Sequence, residues 1–125
     1  MAGEPTLTLV GNLTADPEVR HTSSGATVAS FTIASTPRVR DGDTWTDGEA
    51  LFMRCTAWRQ LAEHLAGAVR KGDRLLVVGR LRQRTYDTRE GEKRTVVELE
   101  VDEAGPSLRY AAAEIRKTTA AAVAW

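Results

Sequence analysis

Apolar residues along this chain recur with a period of two, switch once to a period of nearly four, and then return to two. That order constrains the fold more than any composition does: extended segments, one helix, then extended segments again. All of it lies within 125 residues, enough for a single core and too short for two ordinary ones.

The first extended segment, Thr6 to Leu13, places Leu7, Leu9 and Leu13 at alternating positions, with Gly11 inside it as a bend or bulge. Asp16-Pro17 opens a loop. A second strand follows from Val28 to Ser35, limited by Pro37. The polar, glycine-bearing stretch from Arg38 to Glu49 reads as a long mobile hairpin loop, and Leu51 to Trp58 as the third strand. Leu61, Leu65 and Val69, with Ala62 and Ala66, then share one helical face, and Gly72 is placed to end the helix. Arg74 to Leu81 and Thr95 to Val101 resume strand on either side of a loop. Three strands, a helix and two strands predict an all-β protein, a five-stranded Greek-key oligonucleotide-binding barrel with one short helix between strands 3 and 4. Residues 108–115 offer one more extended segment, so the domain is expected over 1–111, with a short alanine-rich tail over 112–125.

Several functions are disfavoured. Cys55 is the only cysteine, and His21 and His64 have no neighbours at metal-ligand spacing, so neither a disulfide nor a metal or other cofactor is expected. There is no activated nucleophile, phosphate loop or paired-carboxylate pattern to support an enzyme. No apolar run approaches the ~20 residues of a membrane span, and the start of the chain lacks a secretory signal, which together lead to the expectation of a cytoplasmic protein.

The net charge is zero, yet Arg70 to Arg94 holds nine basic residues against four acids, a local excess of five. Local potential, not total charge, steers an anionic partner. A barrel that holds a single nucleic-acid strand needs flat side chains for stacking and cations along the phosphates. Phe52 and Trp58 share a parity on the third strand with Arg54 between them, while Arg80, Arg82, Arg84 and Tyr86 share one on the fourth. Core packing is the competing role for Phe52 and Trp58, but Met53, Cys55 and Ala57, of opposite parity, can fill the interior instead. Arg38, Arg40 and Trp45 in the preceding loop complete the candidates that this reasoning reaches, and an OB-fold protein-interaction or assembly module is the alternative to a nucleic-acid binder. Stacking platforms accept either sugar, so DNA and RNA both stay open on these residues.

The runs Leu9-Val10-Gly11-Asn12-Leu13-Thr14-Ala15-Asp16-Pro17-Glu18-Val19-Arg20, Gly72-Asp73-Arg74 and Gly79-Arg80-Leu81-Arg82 resemble the bacterial single-stranded-DNA-binding protein family across the barrel. The resemblance implies sequence-independent binding of single-stranded DNA in replication, repair, recombination or chromosome segregation, by a homotetramer built as a dimer of dimers and associated with the nucleoid. It implies stacking roles for Phe52, Trp58 and Tyr86, and places Arg20, Arg54, Lys71, Arg82 and Arg84 near the DNA path. Val39 stands where the family carries another aromatic, a loss for which Trp45 could substitute. Residues 101–111 are similar to the actinobacterial extension that adds a strand and clamps neighbouring subunits. The chain stops at Trp125 without the acidic tip by which replicative members recruit enzymes. It reads as a short paralogue without that recruitment, or as a chain cut short.

Overall fold

A computed structural model describes residues 3–118. Its elements are β1 (Thr6–Leu13), β2 (Glu18–His21), β3 (Thr27–Ser35), β4 (Arg38–Asp41), β5 (Thr44–Asp47), β6 (Leu51–Trp58), α1 (Arg59–Ala68), β7 (Arg74–Asp87) and β8 (Lys93–Pro106). The main sheet runs β1-β7-β8-β6-β3-β2, and β1 pairs again with β3, so five strands return on themselves as a barrel. The β6–β8 pair is parallel, through Cys55↔Leu99 and Thr56↔Glu100.

Closure depends on β1 serving two partners. Residues Thr6 to Asn12 pair with β7, and Asn12 and Leu13 then pair with Ala34 and Ile33 of β3. Gly11 stands at this crossing, where a Cβ would fall on the Ala34 carbonyl oxygen and on Cγ2 of Ile33. The expected bend at Gly11 is therefore a strand crossing that only glycine fits. Gly79 meets the same limit against the Glu100 carbonyl, beside the register shift between Val78 and Gly79 that lets β7 and β8 turn together.

Period-two alternation carries the core. Leu9 and Leu13 of β1, Phe31 and Ile33 of β3, Cys55 and Ala57 of β6, Leu75 and Val77 of β7, and Leu99 and Val101 of β8 all point inward and are buried. The helix covers one end with Ala62 and Leu65, followed by Val69 just past its last turn. Arg70 then donates from Nη1 to the carbonyls of Ala66 (2.7 Å) and Val69 (2.8 Å), satisfying acceptors that a helix end leaves open.

Four expectations change. The segment after β3 is no bare loop: β4 and β5 pair as an exposed two-stranded ribbon around the turn Gly42-Asp43, with Gly42 at φ 64. Gly-Asp between Val39 and Trp45 is a hairpin signal that polar composition masks. Glu18–His21 forms an edge strand on β3, hidden from pattern reading because all four residues are exposed. The β7–β8 hairpin is longer than apolar alternation suggests, since its outer part leaves the barrel and buries little. Residues 107–118 form no helix or strand, so the extended segment expected over 108–115 is absent. The segment leaves the sheet at Ser107, whose N–H donates to the Arg74 carbonyl, and there β7 is already flanked by β1 and β8, with no edge for it to pair with. Residues 119–125 of the alanine-rich tail lie outside the described residues.

Candidate nucleic-acid interface

The outward side of β6 presents Phe52, Arg54, Thr56 and Trp58, while Met53, Cys55 and Ala57 face the core. Phe52 is 63% and Trp58 40% exposed, which removes both from the core. Paired with β6 on one side and β7 on the other, β8 lies between them. The face therefore has three rows: aromatics and Arg54 on β6, Glu98 and Glu100 on β8, and Arg82, Arg84 and Tyr86 on β7.

Two open grooves cross this face. One, of ≈ 490 Å³, is lined by Trp58, Arg20, Thr56, Arg82, Arg84, Glu98 and Glu100 among others. The second, of ≈ 520 Å³, is lined by Phe52, Arg54, Tyr86, Arg84 and Glu98 with Val96 and Val97. Arg84 and Glu98 belong to both and so form the step between an indole compartment and a Phe–Tyr compartment. Arg84 Cζ lies 5.7 Å from the Tyr86 ring centre, within cation–π range. Seven of the twelve predicted site residues are thus brought to the two grooves: Arg20, Phe52, Arg54, Trp58, Arg82, Arg84 and Tyr86.

The other five are elsewhere. Arg38, Arg40 and Trp45 are exposed on the β4–β5 ribbon, where Arg38 Nε is 3.5 Å from Asp47 and Arg40 Nε donates to the Gly42 carbonyl at 3.0 Å. Lys71 sits in the turn after α1, its backbone N–H held by Asp16 at 2.8 Å. Arg80 lines neither groove: its side chain is 22% exposed and ion-paired with Asp102 (2.9 Å), Glu100 (3.5 Å) and Glu4 (3.5 Å).

Pattern reading misses the carboxylates opposite the arginines. Arg82 Nε is 3.1 Å from Glu4, and its Nη1 is ion-paired with Glu100. Arg84 Nη2 donates to Glu98 Oε1 at 2.6 Å. The hydrogen bond from Arg80 to Asp102, that from Arg82 to Glu100 and that from Arg84 to Glu98 each hold the guanidinium pKa above its usual range. A signal does exist in the chain, since Glu98, Glu100 and Asp102 alternate along one segment, but register alone sets them against the arginines. Side-chain exposure rises along the row, from 22% at Arg80 to 47% at Arg82 and 64% at Arg84.

Burial pushes the Cys55 thiol up to about 12, against a smaller opposing effect of Arg54, so it stays protonated and unreactive. Among the described residues no group of His, Cys, Asp and Glu could hold a metal ion.

A closed five-stranded barrel with exposed aromatic rings and guanidiniums along one open face has the architecture of an oligonucleotide-binding barrel. The model of the Single-strand binding protein family matches residues 5–107, and the chain belongs to that family. It is 62% identical over 121 residues to the single-stranded DNA-binding protein of Mycobacterium tuberculosis, covering 95% of this chain and 74% of the relative. Against the Bifidobacterium longum protein the identity is 59% over 119 residues, covering 94% of this chain and 55% of that one. A small single-stranded DNA-binding protein from Streptomyces coelicolor superposes with a TM-score of 0.74 at 37% identity, covering 85% of this chain and 96% of its own.

Proposed function

We infer that this chain binds single-stranded DNA without reading its sequence, and acts as a non-enzymatic coat wherever duplex is opened in replication, repair, recombination or chromosome segregation, in the cytoplasm at the nucleoid. The observation that carries this reading is the pair of grooves in which Trp58 on one side and Phe52 with Tyr86 on the other flank Arg84. Ring faces accept any base and guanidiniums accept any phosphate, so such a face suits a flexible single strand and cannot match the stacked bases of a duplex. The match to the family and the DNA-binding function of the actinobacterial relatives support it.

Assembly into a homotetramer, as a dimer of dimers, belongs to the same reading. Leu76 and Val78 are exposed on the outer face of β7 next to β1, and Leu108, Tyr110 and Ile115 are exposed along residues 107–118. A second copy would cover such apolar surface, and the terminal segment, which forms no strand within its own chain, would supply the clamp.

Titration of intrinsic tryptophan fluorescence with oligo-dT at several salt concentrations tests the binding, with a duplex of equal length as control. Strong quenching that weakens as salt rises, with little response to duplex, is expected. Absence of any response at low salt overturns the reading and leaves a protein-interaction module in its place. Light scattering on the same samples tests the tetramer.

A further inference from the structure

We propose that Glu98 is an intramolecular competitor for the phosphate site at Arg84: its carboxylate occupies the guanidinium until a single strand passing from the Trp58 groove to the Phe52–Tyr86 groove displaces it. The proposal rests on the DNA-binding reading of this face.

Position comes first. Glu98 and Arg84 are the two residues that line both grooves, so a strand that stacks in both has to cross their ion pair. Occupancy comes second. Arg84 Nη2 already donates to Glu98 Oε1 at 2.6 Å, and a guanidinium offers a phosphate the same donors that it offers a carboxylate. The rest of the row completes the case. Arg80 is held by Asp102, Glu100 and Glu4, and Arg82 by Glu100 and Glu4, whereas among the described residues Arg84 is ion-paired with Glu98 alone, on the most exposed side chain of the three. Arg84 is the arginine a phosphate can capture by displacing a single group. Once displaced, the Glu98 carboxylate stays beside the incoming phosphate, and their repulsion weakens binding at low salt. The face thereby keeps its grip on DNA loose enough to be reversed, and its arginines do not stand as bare cations in the free protein.

The test is Glu98→Gln in the full chain, titrated with oligo-dT by tryptophan fluorescence across a salt series. Glu103→Gln serves as control, because it removes the same charge about 17 Å further along β8 and outside both grooves. Glu98→Gln is expected to tighten binding about two- to fivefold at low salt, the range of a partly exposed ion pair. The gain should fall towards none as salt screens the repulsion. Glu98→Ser, which removes the carboxylate with a different side chain, should tighten binding in the same way, and Glu103→Gln should leave affinity unchanged. Equal tightening by Glu98→Gln and Glu103→Gln would reduce the effect to overall charge and overturn the proposal. Unchanged or weaker binding in both Glu98 variants would overturn it too, by showing a carboxylate that positions Arg84 instead of competing for it. Trp58→Ala and Arg84→Gln separate the two levels. If both weaken binding while the Glu98 variants do not tighten it, the competitor role alone falls; if neither changes affinity, the reading of this face as the DNA site falls with it.

Discussion

Trp58 ends β6 in extended backbone at φ −125°, and Arg59, the next residue, opens α1 in the left-handed region at φ 59°. No loop separates strand from helix. A non-glycine residue in that region costs about 1–2 kcal/mol, and the cost is sustained because β6 is paired on both sides and α1 is packed against the barrel. The consequence is a ring fixed at its base by two rigid elements, with 40% of the residue exposed to a ligand.

Trp58→Ala is therefore expected to weaken oligo-dT binding by about 1–3 kcal/mol while leaving the thermal midpoint nearly unchanged. That range was established on single-strand-binding proteins as a class and does not come from the geometry of this chain. Phe52→Ala should behave alike in the second groove. Fluorescence anisotropy of a labelled oligonucleotide, with a melting curve beside it, checks both, and a large loss of stability would return the two aromatics to a structural role.

Arg80 and Arg84 share a strand and a parity but should separate in experiment. Arg84→Gln removes a phosphate contact, so the slope of log affinity against log salt should become shallower by about 0.7, with little change in stability. Arg80→Gln takes the cation from Asp102 and leaves Arg82 to hold Glu100 and Glu4, so it should lower the denaturation midpoint and barely touch the salt slope. Equal slopes for the two variants would contradict the division of the row into a structural end and a binding end.

Gly11→Ala should destabilise the barrel by about 1–3 kcal/mol or more, because the new methyl meets the Ala34 carbonyl and the Ile33 side chain where β1 crosses from β7 to β3. Gly67 on α1 has nothing within 4 Å of an added Cβ, and Gly67→Ala should be neutral or slightly stabilising. Urea denaturation of the two variants makes the comparison.

What can be read from the sequence follows one physical line. Where one face of an element is buried, period and parity expose it, which is why residue pattern alone separates Phe52, Arg54 and Trp58 from Met53, Cys55 and Ala57. Where nothing is buried, the signal vanishes: β2 and the β4–β5 ribbon are wholly exposed, and their backbone pairing leaves no apolar trace. A charge count misjudges the binding face for a related reason. The basic excess between Arg70 and Arg94 counts neighbours in sequence, whereas Arg82 and Arg84 meet Glu100 and Glu98 through the β7–β8 register. The potential over that face is lower than the window implies, and the carboxylates responsible lie outside it.

Cys55 gives a pH dependence whose sign follows from its burial. Its thiol is raised from 9.0 to about 12 in the folded chain, chiefly by desolvation, so between these values the unfolded chain releases a proton that the folded chain keeps. Stability from this group is then fully present below pH 9 and is lost as pH rises towards 12. Cys55→Ala removes the titrating group, so its denaturation midpoint should decline less steeply than that of the parent protein across this alkaline window, whatever the truncation costs at neutral pH. The folded parent should also resist a thiol-specific reagent at pH ~8 and react only after denaturant is added, because the reagent needs a thiolate that desolvation suppresses. Rapid labelling under native conditions would place Cys55 at the surface and contradict its packing opposite Leu99 in the parallel β6–β8 pair of the barrel.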